Sequence, residues 1–283
     1  MPAVILPDGR RLGYAVIGDP DGLPVVCLHG TPGSARQLAA LERTARAHGL
    51  ALVAPDRAGY GQSTHDPART IGSNARDVGA LLSSLGIERC SVVGVSGGGP
   101  FALGCGIVLA DRIATVATVG GVAPLVPRDP SLPPDRIVGR VARRSEAAAR
   151  ALFGLVLHEG RTRSERSLER FASLLAPSDA RLLREPGPVR SAFLDDLGHP
   201  SRSAARAAAR DFWLFEHPWD VDLADLAVPC HVWHGTLDRN VPVAHAAVIA
   251  GRCPAARLHL VEGGGHLLLG EADEILSSLR RQS

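Results

Sequence analysis

The chain has 283 residues and no lysine: its basic side chains are all arginine. Schiff-base catalysis on lysine and a phosphate loop ending in lysine are therefore excluded. A strong charge of one sign is also missing. The formal net charge is +2, so no electrostatic pull toward nucleic acid or an anionic membrane follows, and no nucleic-acid-binding module is recognisable. Cysteine is scarce. Cys27, Cys90, Cys105, Cys230 and Cys253 are scattered, mostly inside apolar runs, and no two have metal-ligand spacing. They read as buried, reduced thiols. With no secretory pattern at the N-terminus, they make the cytoplasm the expected location. Apolar runs are broken by Gly, Pro or charge before they reach bilayer length, so no membrane span is expected. Internal repeats and long low-complexity segments are absent.

What remains is a globular composition, 45% hydrophobic and 21% charged. Strand character appears at Arg11–Gly18, Leu23–Leu28, Ala51–Ala54, Ser91–Val95 and Ile113–Val119. Helical spacing appears between these runs, at Gly33–His48, Asn74–Leu85 and Pro100–Leu109. Strands alternating with helices predict an α/β fold with a mostly parallel sheet covered on both faces. After Val122 the pattern breaks. Residues 124–134 are proline-rich, and from Asp135 to about Arg210 the chain is Ala/Arg/Leu-rich and reads as several helices, punctuated by Pro177 and Pro186-Gly187-Pro188. Alternation resumes with a strand at Cys230–His234, a helix near His245–Gly251, a strand at Arg257–Val261 and a closing helix at Glu271–Arg281. A helical insert thus interrupts an α/β core.

Four places carry chemistry. Gly94-Val95-Ser96-Gly97-Gly98 follows a buried strand and opens a helix. Glycines two before and two after a serine suit a strained turn that exposes a nucleophile, with helix N-terminal N–H groups facing a developing oxyanion. His29-Gly30-Thr31-Pro32-Gly33 follows an earlier strand, where a second oxyanion donor is expected. Pro32 has no N–H, so Thr31 is the candidate there and Gly97 is the other. His29 itself reads as a packed structural histidine. Asp238, in Gly235-Thr236-Leu237-Asp238, lies past the run ending at His234 and suits an acid that orients a histidine. Asp220 and Asp222 are less well placed. His266, after Gly263-Gly264-Gly265 and the last strand, suits a general base; His234 and His245 compete but do not follow the final strand. The order Ser96, Asp238, His266 places nucleophile, acid and base each just past a strand.

With these motifs the chain resembles the α/β-hydrolase superfamily. The matching segments also include Asp56-Arg57-Ala58-Gly59-Tyr60-Gly61-Gln62-Ser63, whose glycines and Arg57 read as structural. The resemblance implies an α/β-hydrolase fold with a core at 1–124 and 215–283 and a helical cap (lid) at 125–214. It implies a serine nucleophile, unlike the aspartate of the haloalkane dehalogenases and epoxide hydrolases of this fold. The expected activity is hydrolysis of an ester-type bond of a small molecule through an acyl-enzyme, without cofactor or metal. Carbon–carbon bond hydrolases, cofactor-free haloperoxidases (perhydrolases), acyltransferases or cyclases, and non-catalytic receptors of the same fold are the alternatives. In the insert, Phe153, Phe171, Phe193, Phe212, Trp213 and Phe215 read as helix core, and the arginines as a solvated face. A sharper reading has Arg140, Arg143 or Arg144 meet a substrate carboxylate. Oligomeric state, a homodimer included, stays open.

Overall fold

The structure, a computed structural model, describes residues 1–124 and 133–280, with side chains from 138 in the second stretch. Eight strands form one sheet: β1 (Ala3–Ile5), β2 (Arg11–Gly18), β3 (Leu23–Leu28), β4 (Leu50–Pro55), β5 (Cys90–Val95), β6 (Ile113–Val119), β7 (Cys230–Gly235) and β8 (Ala256–Val261). Their spatial order is β1-β2-β4-β3-β5-β6-β7-β8. Only the β1–β2 and β2–β4 pairs are antiparallel; β4 to β8 run parallel.

Alternation along the central strands sends neighbouring side chains to opposite faces. Val26, Leu28, Val92, Val116 and Val232 pack on one face. There they meet α2 (Ile71–Ser84), α3 (Gly99–Val108) and α10 (Ala244–Arg252). Val25, Cys27, Val93, Ala117 and Trp233 pack on the other, against α1 (Glu42–Ala47) and α11 (Ala272–Ser278). Burial on both faces is why these strands read as continuous apolar runs. All five cysteines are buried and unpaired.

Between β6 and β7 the chain is helical: α4 (Pro133–Arg144), α5 (Glu146–Thr162), α6 (Ser164–Leu174), α7 (Pro177–Arg184), α8 (Pro188–Gly198) and α9 (Ala204–Phe215). Helices α4, α5 and α9 share a core that includes Tyr60. Helices α6, α7 and α8 share another that includes Leu267. Phe153, Phe212 and Phe215 form a tilted chain, with ring centroids 5.2 and 5.8 Å apart. Phe171 stacks on Phe193.

Two local expectations are corrected, and one strand was not foreseen. The stretch Gly33–His48 is not one helix: a 3-10 segment, Ala35–Leu41, precedes α1, because the Ser34 side chain caps Arg36 N–H and starts a tighter turn. Helix α2 begins at Ile71 rather than Asn74, set by a Thr70–Ser73 capping box. The short strand β1 had too little alternation to be read. The proline-rich 124–134 stretch falls mostly, and Arg281 wholly, outside the described residues.

Candidate active site

The chain steps from β3 outward to β4, then returns to β5 on the other side of β3. The reversal opens a crevice at the carboxyl ends of β3 and β5, the standard ligand position in parallel sheets. The loop after β3 and the turn after β5 flank it.

Ser96 follows β5 directly and has φ +54°. A left-handed backbone costs a non-glycine residue roughly 1–2 kcal/mol, so the surroundings must impose it. They do so through glycines. A Cβ on Gly98 would lie 2.2 Å from the Leu28 carbonyl oxygen, and one on Gly94 would lie 2.3 Å from that of Gly98. Only bare backbone lets the turn nest against β3. A short 3-10 turn, Ser96–Gly98, then enters α3, so helix N-terminal N–H groups gather at the serine. Ser96 is half-buried.

Gly97 and Thr31 touch: a Cβ on Gly97 would lie 2.4 Å from Thr31 Oγ1, and 3.1 Å from the Phe215 ring tip. The two candidate oxyanion donors are thus neighbours, roofed by an aromatic from α9. Thr31 is held from behind. Its hydroxyl donates to Asp211 Oδ2 at 2.7 Å and accepts from Arg57 Nη2 at 2.8 Å. Asp211, on α9, also accepts from Arg57, Arg69 and Tyr60. Asp211, Arg57, Arg69 and Tyr60 are all at most 1% exposed. Burial pushes the Asp211 carboxyl up, but the two guanidiniums outweigh it and leave its pKa lowered. Losing one partner of such a buried ionic set typically costs about 3–5 kcal/mol. His29 is fully buried, its Nδ1 on the Gly30 carbonyl at 2.8 Å and its Nε2 accepting from Arg57 N–H at 3.1 Å. Burial and the Arg57 charge hold it well below the ordinary histidine pKa, so it is a neutral packing residue.

Asp238 and His266 meet across the ends of β7 and β8. His266 Nδ1 donates to Asp238 Oδ2 at 2.8 Å, and the two side chains are 5% and 0% exposed. Asp238 Oδ1 accepts the Asn240 and Val241 N–H groups at 2.8 and 3.0 Å. Burial raises the Asp238 pKa, yet the His266 charge and these hydrogen bonds win and lower it. With Nδ1 as donor, the neutral imidazole carries its lone pair on Nε2. The turn after β5 and the imidazole both touch the segment after β6: the Cβ position of Gly99 lies 2.9 Å from Gly121 Cα, and that of Gly120 lies 2.9 Å from His266 Nδ1.

The competing residues have partners of their own, although His234 Nε2 also lies 3.3 Å from the Asp238 Oδ2 that receives His266. His234 Nε2 donates to the Val241 carbonyl at 2.7 Å, and His245 Nδ1 accepts from Ala123 N–H at 3.0 Å. Asp220 receives the Thr70 hydroxyl at 2.6 Å and caps α2, while Asp222 pairs with Arg252 at 3.0 Å. Arg140, Arg143 and Arg144 are exposed. Among the described residues no group of three or more His, Cys, Asp or Glu is placed to hold a metal ion, and no helix is long and apolar enough to cross a membrane.

Three carboxylates from the helical segment escaped the sequence reading: Asp179, Asp196 and Asp211. Each is buried and bonds a loop of the sheet domain beside the candidate site. Their sequence signal was position, since each interrupts an apolar stripe at helical spacing.

Residues 24–273 match the family model for the alpha/beta hydrolase fold. A non-heme chloroperoxidase of Streptomyces lividans is 29% identical over 98% of this chain and 97% of its own length. Among solved structures, an esterase from Exiguobacterium antarcticum superposes with TM-score 0.71 at 19% identity, covering 98% of both chains. The enol-lactonase of Burkholderia xenovorans superposes with TM-score 0.70 at 20% identity, covering 98% of this chain and 97% of its own. The sheet order, the switch point and the family match agree: this chain belongs to the α/β-hydrolase fold family.

Proposed function

We propose that the protein is a serine hydrolase that cleaves an ester-type bond of a small molecule through an acyl-enzyme. The observation that carries the reading is the buried Asp238–His266 hydrogen bond of 2.8 Å at the end of the sheet that bears Ser96 on its strained turn. In the proposed cycle His266 Nε2 takes the Ser96 hydroxyl proton as Oγ attacks the substrate carbonyl carbon. Thr31 and Gly97 N–H groups receive the oxyanion. Asp238, kept ionised, stabilises the imidazolium. His266 then gives its proton to the departing alkoxide, leaving the acyl group on Ser96. Water, deprotonated by His266, attacks the acyl-serine, and the carboxylic acid leaves. Helices within 125–214 act as the cap in this reading. Phe215, against Gly97, supplies an apolar wall for the acyl group, and the exposure of Arg143 and Arg144 supports a solvated face over a carboxylate contact.

Turnover of p-nitrophenyl acetate and butyrate tests the reading. Wild type should hydrolyse a short ester, and Ser96→Ala should lose kcat by about 10⁴-fold or more. Undiminished turnover in Ser96→Ala would remove the serine from the mechanism.

One observation favours a second reading. The similarity to a non-heme chloroperoxidase runs nearly end to end. In that reading hydrogen peroxide replaces water in the second step, the acyl-serine yields a peracid, and the peracid oxidises halide. Bromide oxidation in acetate with hydrogen peroxide, lost in Ser96→Ala, would select it.

A further inference from the structure

The loop that carries His266 is tied down in its first half: Gly263 N–H donates to Thr236 Oγ1 at 2.9 Å, Gly264 N–H to the Val261 carbonyl at 3.0 Å, and Leu237 N–H to the Gly264 carbonyl at 2.9 Å. Gly263, Gly264 and Gly265 lead into it, Gly263 at φ +70°, and Leu268 leaves it at φ +46°. Glycines maximise backbone freedom, and a general base must present the same nitrogen at every turnover. The Asp238 hydrogen bond fixes one end of the ring. Past Gly264, the N–H groups of His266 and Leu267 find their acceptor outside the loop.

That backbone is held from the helical segment. Asp179 lies in the first turn of α7 and is 2% exposed. Its Oδ2 accepts two successive N–H groups, those of His266 and, at 3.2 Å, Leu267. Gly265 is built around the contact: a Cβ there would lie 2.2 Å from Asp179 Oδ2 and 3.0 Å from Ala176 Cβ. Any other residue would push the carboxylate away. Leu267 then packs among Leu168, Leu175 and Leu183 of the same helices. His266 is therefore gripped twice by carboxylates from separate parts of the chain, its side chain by Asp238 and its main chain by Asp179.

We propose that Asp179 is a positioning residue for the reaction, setting the His266 backbone so that Nε2 meets the Ser96 hydroxyl. This rests on the serine-hydrolase reading. It makes the helical segment part of the catalytic geometry as well as a cover for it. Misplacing a reacting group by about 1 Å costs on the order of 10²-fold in rate, and the loss falls on chemistry, not on substrate affinity.

The test compares Asp179→Ala and Asp179→Asn with wild type, using p-nitrophenyl butyrate kinetics, the rate of labelling by a fluorophosphonate, and thermal unfolding. In Asp179→Ala we expect kcat and the labelling rate to fall by roughly 10–100-fold, with KM changed by less than about threefold. Asparagine keeps an amide oxygen that accepts both N–H groups, so Asp179→Asn should stay within about threefold of wild type in kcat. A folded Asp179→Ala with wild-type kcat overturns the proposal. So does an activity loss equal in both variants that follows only their loss of thermal stability. If wild type itself is neither labelled at Ser96 nor active, the serine-hydrolase reading fails instead, and that result is distinct from the other two.

Discussion

Asp196 illustrates what a buried carboxylate does at the scale of one residue. It sits on α8, accepts the Ser34 hydroxyl, and receives Gln37 Nε2 at 2.8 Å. Burial raises its carboxyl from an ordinary 3.8 to about 6, against the lowering effect of those two hydrogen bonds. Between these two values the folded protein holds a proton that the unfolded chain has released. Stability therefore rises as pH falls through the window, and above pH 6 the buried charge opposes folding by about 3 kcal/mol. Asp196→Asn removes the titration and can still pair with Ser34 and Gln37. In urea unfolding it should exceed wild type by up to about 3 kcal/mol near pH 7.5 and lose that advantage near pH 4. An unchanged difference at both pH values would contradict the assignment. Ser96, Asp238 and His266 were legible as candidates because each stands just beyond a strand and within three residues of a glycine. Asp179, Asp196 and Asp211 were not, because each lies three or four residues from Leu183, Ala192 or Leu214 on a mostly apolar stripe, where an acid reads as the edge of the polar face. An acid on such a stripe is the signal that was there to be used.

At the scale of elements, the turn from β5 into α3 depends on contact between bare backbones. Gly98→Ala would drive a methyl into the Leu28 carbonyl, at 2.2 Å in the present geometry, and both segments are central. It should destabilise the protein by roughly 2–4 kcal/mol. By contrast, Gly86 has φ +67° and nothing within 4 Å of its Cβ position, so Gly86→Ala should cost only about 1 kcal/mol. Urea unfolding of the two variants checks the contrast, and equal losses would contradict it. Apart from β1 and the segment before α1, the strands and helices of the sheet layers were readable because buried strands are apolar throughout and helices keep a 3.6-residue period. Helix starts were less so, since the Ser34 cap acts through one hydrogen bond and the Thr70–Ser73 capping box uses Ser where Glu or Gln is the usual partner. The division of the insert was readable where proline marks it, at Pro177 opening α7 and Pro186-Gly187-Pro188 leading into α8; the other breaks fall within an Ala/Arg-rich run with no such mark.

At the scale of the molecule, periodicity identifies strands but not their neighbours. The class of the sheet was legible, while the order that puts β3 between β4 and β5 comes from the structure. That order creates the crevice, and the helical segment reaches it through Asp179 at the His266 loop, Asp196 at Ser34 and Asp211 at Thr31. The helices and the candidate site are thus one mechanical unit. The most direct measurement is reaction of the purified protein with a fluorophosphonate, followed by intact mass and peptide mapping. The account predicts one adduct per chain, on Ser96, and none in Ser96→Ala. An adduct on another residue, or no adduct on a folded and accessible protein, would contradict it.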